Sequence, residues 1–131
     1  MSLYLTIFDG EQEVTGWVFG HYSDFGYFRD RIASTPGSDR YPVLMLHSDC
    51  DGEWPVSELE LLKGELQSIA ATFRTLPPEE PAGAFEHTSK YRRNARDLSE
   101  CFHTVDGDNL FEAMSALCDD GMRLHLPILF Q

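Results

Sequence analysis

Positive charge is scarce in this sequence. Lysine and arginine number 10 against 22 aspartates and glutamates, a formal net charge of −12, and the sequence pI is about 4.6. A general nucleic-acid binder sets cations against phosphates, so nucleic acid is not an expected partner. An anionic membrane surface repels the chain as well. Long apolar runs are missing too: no stretch approaches the ~20 residues that a membrane-spanning helix needs. Cysteine is sparse and odd in number: Cys50, Cys101 and Cys118, with no C-x-x-C spacing. That indicates neither a disulfide framework nor a zinc or redox motif, and reduced thiols are the expectation. Residues 1–9 carry no basic n-region and no small-residue cleavage site, so no secretory signal is expected and the expected location is cytoplasmic.

What is present fits one packed domain, residues 1–131. The hydrophobic fraction is 42% and the aromatic fraction 12%, which argues against disorder. Leu3 to Phe8 reads as a strand closed by the turn Asp9-Gly10. Val14 to Phe19 reads as its hairpin partner, with Glu11, Gln12 and Glu13 in or near the connection. From Tyr22 the period changes: Phe25, Phe28 and Ile32 predict a helix, capped by Ser23 or Asp24 and ended by Pro36-Gly37. Tyr41 to Leu46 reads as a short buried strand. Ser57 and Glu60 form a capping box, and Leu59, Leu62, Leu66, Ile69 and Phe73 predict a helix stopped by Pro77-Pro78. Pro77 to Phe85 is an irregular connector. Thr88 or Ser89 caps a further helix with Tyr91, Ala95, Leu98 and Phe102 on its apolar side. Asp108 caps a shorter one carrying Leu110, Met114 and Leu117, with Gly121 at its C-terminus. Met122 to Phe130 alternates as a strand, and Pro127 suits an edge or a strand end. The order β-β-α-β-α-α-α-β predicts an α+β fold: a small mixed or antiparallel sheet with about four helices packed on it.

Three clusters could carry chemistry. His47-Ser48-Asp49-Cys50-Asp51-Gly52-Glu53-Trp54 lies between a predicted strand and a predicted helix. A turn could converge Asp49, Asp51 and Glu53 on a hard cation, but the fragment only partly matches a calcium loop. The simpler reading is a polar turn with Gly52 in a left-handed conformation and its acids near a helix N-terminus. A second cluster, Gly20 to Tyr27, holds Ser, His and Asp close together, yet it matches neither a nucleophile elbow nor a phosphate-binding glycine pattern. Its simpler reading is a tight strand-to-helix junction. The third is Lys90, Arg92, Arg93 and Arg96, read as one helix face, which in so acidic a chain is expected to pair with the protein's own acids. His103 and His125 are isolated and read as structural.

Three stretches together resemble a known family. They are Leu3 to Asp9, Gly16 to Asp30 (Gly-Trp-Val-Phe-Gly-His-Tyr-Ser-Asp-Phe-Gly-Tyr-Phe-Arg-Asp), and His47 to Trp54 ahead of a leucine-rich helix. This pattern is similar to that of immunity protein seventy of the bacterial polymorphic toxin systems. The likeness spans most of the first 75 residues and weakens after the connector. It implies a cytosolic antitoxin that binds a cognate toxin domain and blocks it, and it carries over no catalytic residue.

The expectation is therefore a non-enzymatic binding protein with no cofactor and a basic toxin domain as partner, with a nuclease as the expected toxin class. The acidic loop Asp49, Asp51 and Glu53 is the expected binding face. Trp54 is a candidate anchor, and Tyr22 and Asp24 are neighbouring contributors. Two alternatives stand beside this: a small metal-dependent hydrolase using His47, Asp49, Asp51 and Glu53, and a regulatory or scaffold domain.

Overall fold

The computed structural model describes residues 2–48, 51–81 and 83–131. Leu3, Leu5 and Ile7, all fully buried, place one face of β1 (Ser2–Asp9) on the core. A turn through Gly10 (φ +66°) leads into β2 (Gln12–His21), which pairs antiparallel with β1. The hairpin is as expected, although β2 is longer at both ends than the Val14–Phe19 run. Two short strands complete the sheet: β3 (Glu53–Trp54) and β4 (Ile128–Phe130). All pairs are antiparallel and the strand order is β2-β1-β4-β3. The fold is α+β.

Helix α1 (Tyr22–Ala33) buries Phe25, Phe28 and Ile32 as the periodicity predicts. Its start differs in detail. His21 is the N-cap, and Asp24 reaches back from the third helical position to accept the His21 N–H at 2.8 Å. Helix α3 (Val56–Phe73) buries the predicted stripe Leu59, Leu62, Leu66, Ile69 and Phe73. It begins one residue ahead of Ser57, after Pro55, and no side chain caps it.

Three expectations are corrected. Tyr41 to Leu46 is not a strand: Pro42–Met45 is a single helical turn, α2. Proline prefers the first helical position. The Glu65 carboxylate then accepts the N–H groups of Val43 (3.2 Å) and Leu44 (3.0 Å), which a strand would offer to a neighbour.

Thr88 to Phe102 is not one helix but two 3₁₀ segments, Glu86–Arg92 and Leu98–Cys101. Arg92 is buried there and bonds the Phe85 carbonyl, while the Asp97 carboxylate caps the second segment through the Ser99 N–H. Finally, α4 (Leu110–Leu124) runs through Gly121, and the last strand is only three residues long. Asn109, not Asp108, caps α4, by accepting the Glu112 N–H at 3.2 Å. His125, at φ +56°, takes the left-handed position that ends it.

The aromatic side chains Phe19, Phe25, Phe28, Phe73, Phe85, Phe102 and Phe111 pack edge to face or tilted, with centroid separations of 5.3–5.9 Å. They belong to one core that joins the helices to the sheet.

Candidate functional site

The acidic loop leaves α2 at Leu46 and rejoins the sheet at β3. Arg29 of α1 closes the end of α2: its Nη1 donates to the carbonyls of Leu44 (3.5 Å) and Met45 (3.3 Å), and to that of His47. A cation at a helix C-terminus is favourable, because the last carbonyls lack partners within the helix. The same guanidinium lies 4.6 Å from the centroid of the Phe25 ring.

His47 is the brace of the loop. Its ring stacks on Phe130 at 4.2 Å and lies 5.0 Å from Trp54. Its two nitrogens each lie 2.8 Å from a loop carbonyl, Nδ1 from Ser48 and Nε2 from Glu53. Gly52 takes φ +85°, the left-handed conformation expected of it, and its carbonyl accepts the Phe130 N–H at 2.9 Å. Ser48 Oγ donates to Asp51 Oδ1 at 2.8 Å.

Trp54 corrects the sequence reading. Its side chain is 1% exposed and packs edge-on to Phe130 at 4.6 Å, while its Nε1 donates to the Val43 carbonyl at 3.1 Å. It fastens the loop from below and offers no surface to a partner. Leu46, read from sequence as the last residue of a buried strand, is 82% exposed. Once residues 42–45 form a helical turn, Leu46 falls on its outer side. The signal was Pro42, which favours a helix start over a strand.

Asp51 and Glu53 are exposed, as expected. Asp49 and Cys50 lie outside the described residues. Further acids follow on α3 at Glu58 and Glu60. The nearby cation Lys63 is bound to Asp119 at 2.7 Å, and Glu65 is committed to α2.

Asp24 also turns out to be internal. At 2% exposure, its carboxylate accepts the N–H groups of His21 and Phe85, both at 2.8 Å. It joins α1 to the connector and is no surface contact. Tyr22 is half-buried at the start of α1. The loop reaches α1 elsewhere, through Arg29, and β4 beneath it reaches α1 through the Phe25–Phe130 contact.

Two of the four residues in the basic cluster pair with the chain's own acids, and Arg93 is exposed. Arg92 pairs with Glu80 at 2.8 Å and Arg96 with Glu100 at 3.0 Å. The Arg92 and Arg96 hydrogen bonds hold the Glu80 and Glu100 carboxyls below the usual carboxylate range. Lys90 sits over the Tyr91 ring, 5.1 Å from its centroid.

No group of three or more His, Cys, Asp or Glu able to hold a metal occurs among the described residues, and the ring nitrogens of His47 already face carbonyls. Cys101 and Cys118 are free and buried. No helix among the described residues is long and apolar enough to cross a membrane.

Fold and loop together define a small acidic α+β domain that holds a braced acidic loop at one edge of its sheet. Residues 5–130 match the family described as Immunity protein 70, and the chain belongs to that family. No curated protein matches the chain, and no solved structure does.

Proposed function

We propose that this protein is a cytoplasmic immunity protein that neutralises the cognate toxin domain of a polymorphic toxin system by stoichiometric binding, without turnover of its own. The toxin surface it covers is basic, and a nuclease is the toxin class that suits an acidic occupant, because a nuclease cleft is built to hold phosphates. Membership of an immunity-protein family supports the role.

One observation carries the choice of face. Asp51, Glu53 and the 82%-exposed Leu46 stand on a loop fixed from beneath by Arg29, His47 and Trp54. Residues tied down in this way, His47, Glu53 and Trp54 among them, lose little conformational freedom on binding, so more of the contact energy appears as affinity. The carboxylates steer a basic partner in, and Leu46 takes the anchoring role that buried Trp54 leaves open. Asp49 belongs to the same proposed face, with Tyr22 at its periphery.

The test is protection against the cognate toxin domain, sought in the open reading frame beside this gene. The native chain should inhibit it at one-to-one stoichiometry. Asp51→Lys with Glu53→Lys should slow association, and Leu46→Ala should speed dissociation roughly tenfold or more, the scale of an interface anchor. Unchanged rates in folded variants would place the face elsewhere.

A further inference from the structure

The opposite edge of the sheet carries a second surface. Strand β2 is the terminal strand there, and its outer side is largely unpaired. The Val18 carbonyl points away from β1 and accepts the Val105 N–H at 3.4 Å. Among the described residues, that is the one backbone bond to this outer edge. Alternation puts Gly16 on the same edge.

Beside the edge, a groove of about 320 Å³ opens between β2 and α4. Trp17 and Thr15 face it from the sheet, on the side that carries their cross-strand partners Leu5 and Ile7. Ala113 and Ala116 face it from α4, and their short side chains leave the space open. Asp108, Glu112 and Asp120 stand along it, and none of the lining residues is basic. Asp120 is paired with Arg123 at 3.1 Å, whereas no described residue bonds the carboxylates of Asp108 and Glu112.

We propose that this edge and groove dock a basic, extended segment of a partner protein, added to β2 as a fifth strand. Main-chain bonds to Gly16 would hold the segment in register, ending where Val105 already occupies the Val18 carbonyl, and pockets beside the edge would select its side chains, as in other strand-addition complexes. Every second side chain of the added strand would point toward α4. A lysine or arginine there would lay its stem on Trp17 and the alanines and its charge against Asp108 and Glu112. The same carboxylates oppose pairing with a second copy of this chain, which carries −12 itself. The inference does not depend on the loop being the toxin face.

The probe is a nine-residue peptide of alternating lysine with valine or threonine. Its control keeps every charge but is N-methylated at alternate residues, so it cannot pair with a strand edge. The native chain should bind the first peptide and not the second, and exchange of the Gly16 amide should slow about tenfold or more. Asp108→Lys with Glu112→Lys, or Ala116→Phe in the groove, should abolish that protection. All three positions are exposed or face the groove, so the fold is kept. Equal binding of the methylated peptide, protection that survives these substitutions, no protection of Gly16, or dimerisation of the chain alone through β2 would each overturn the proposal.

Discussion

At the residue scale, two glycines in long helices behave oppositely. A Cβ on Gly121 would stand 2.5 Å from Leu59 Cδ1 of α3 and 2.9 Å from the Leu126 carbonyl. A Cβ on Gly64, on the exposed side of α3, would meet nothing within 4 Å. Alanine gains about 1 kcal/mol of helix propensity at either site. Only at Gly121 is that outweighed by overpacking, which costs about 1–3 kcal/mol. Gly64→Ala should therefore raise the denaturant midpoint and Gly121→Ala should lower it; the same sign for both would contradict this packing.

His103 adds a pH dependence. Burial first, and the Arg92 charge second, hold its imidazole below the ordinary 6.5, and its Nδ1 finds no hydrogen-bond partner among the described residues. The folded chain thus keeps the ring neutral where the unfolded chain takes up a proton. Its contribution to stability is complete above pH 6.5 and is lost as pH falls toward the lower folded value. The carboxyls of Glu13, Glu80 and Glu100, also held low, act in a separate window below 4.5. His103→Phe should flatten the fall in stability as pH drops below 6.5, read from urea midpoints. An unchanged slope would show that the ring is not the source. Cys118 points the same way about the interior: burial pushes its thiol up to about 12.

At the scale of elements, legibility followed the strength of the local period. The stripe from Leu59 to Phe73 satisfies only a helix, so α3 was readable, and the β1–β2 hairpin was readable from Asp9-Gly10 between two β-rich runs. Tyr41 to Leu46 was not, because so short an apolar run fits a buried strand or a buried helical turn equally. The deciding groups, Glu65 and Arg29, are far away in sequence. Gly121 misled for a related reason: it is selected by the approach of Leu59, which no local pattern shows. The acidic loop was visible as a polar cluster, but the burial of Trp54 depends on β4, some 75 residues later.

This division into core and brace is testable. Trp54→Ala empties a core position and should cost about 3–5 kcal/mol. His47→Ala removes a half-exposed ring and its hydrogen bonds and should cost about 1–2 kcal/mol while speeding exchange of the Phe130 amide. Equal costs would mean that the loop and the core are not separable in this way.

At the scale of the whole molecule, the charge is unevenly matched. Among the described residues, ion pairs tie Arg31, Lys63, Arg92, Arg96 and Arg123 to acids of the chain itself. Arg29 is taken up by the carbonyls at the end of α2. Asp51 and Glu53 at one sheet edge, and Asp108 and Glu112 beside the other, face outward with no ion pair to a cation among the described residues. Such a field accelerates encounter with a basic surface and weakens with salt, with a Debye length of about 8 Å at physiological ionic strength.

The central claim is that the braced loop meets a basic toxin, and association kinetics with the cognate toxin domain at two ionic strengths test it most directly. For the native chain, the on-rate should fall steeply as salt rises. In a folded Asp51→Lys, Glu53→Lys variant it should be slower at low salt and respond less to salt, because exposed interface charges act mainly on the on-rate. An on-rate and salt response identical to those of the native chain would contradict the account.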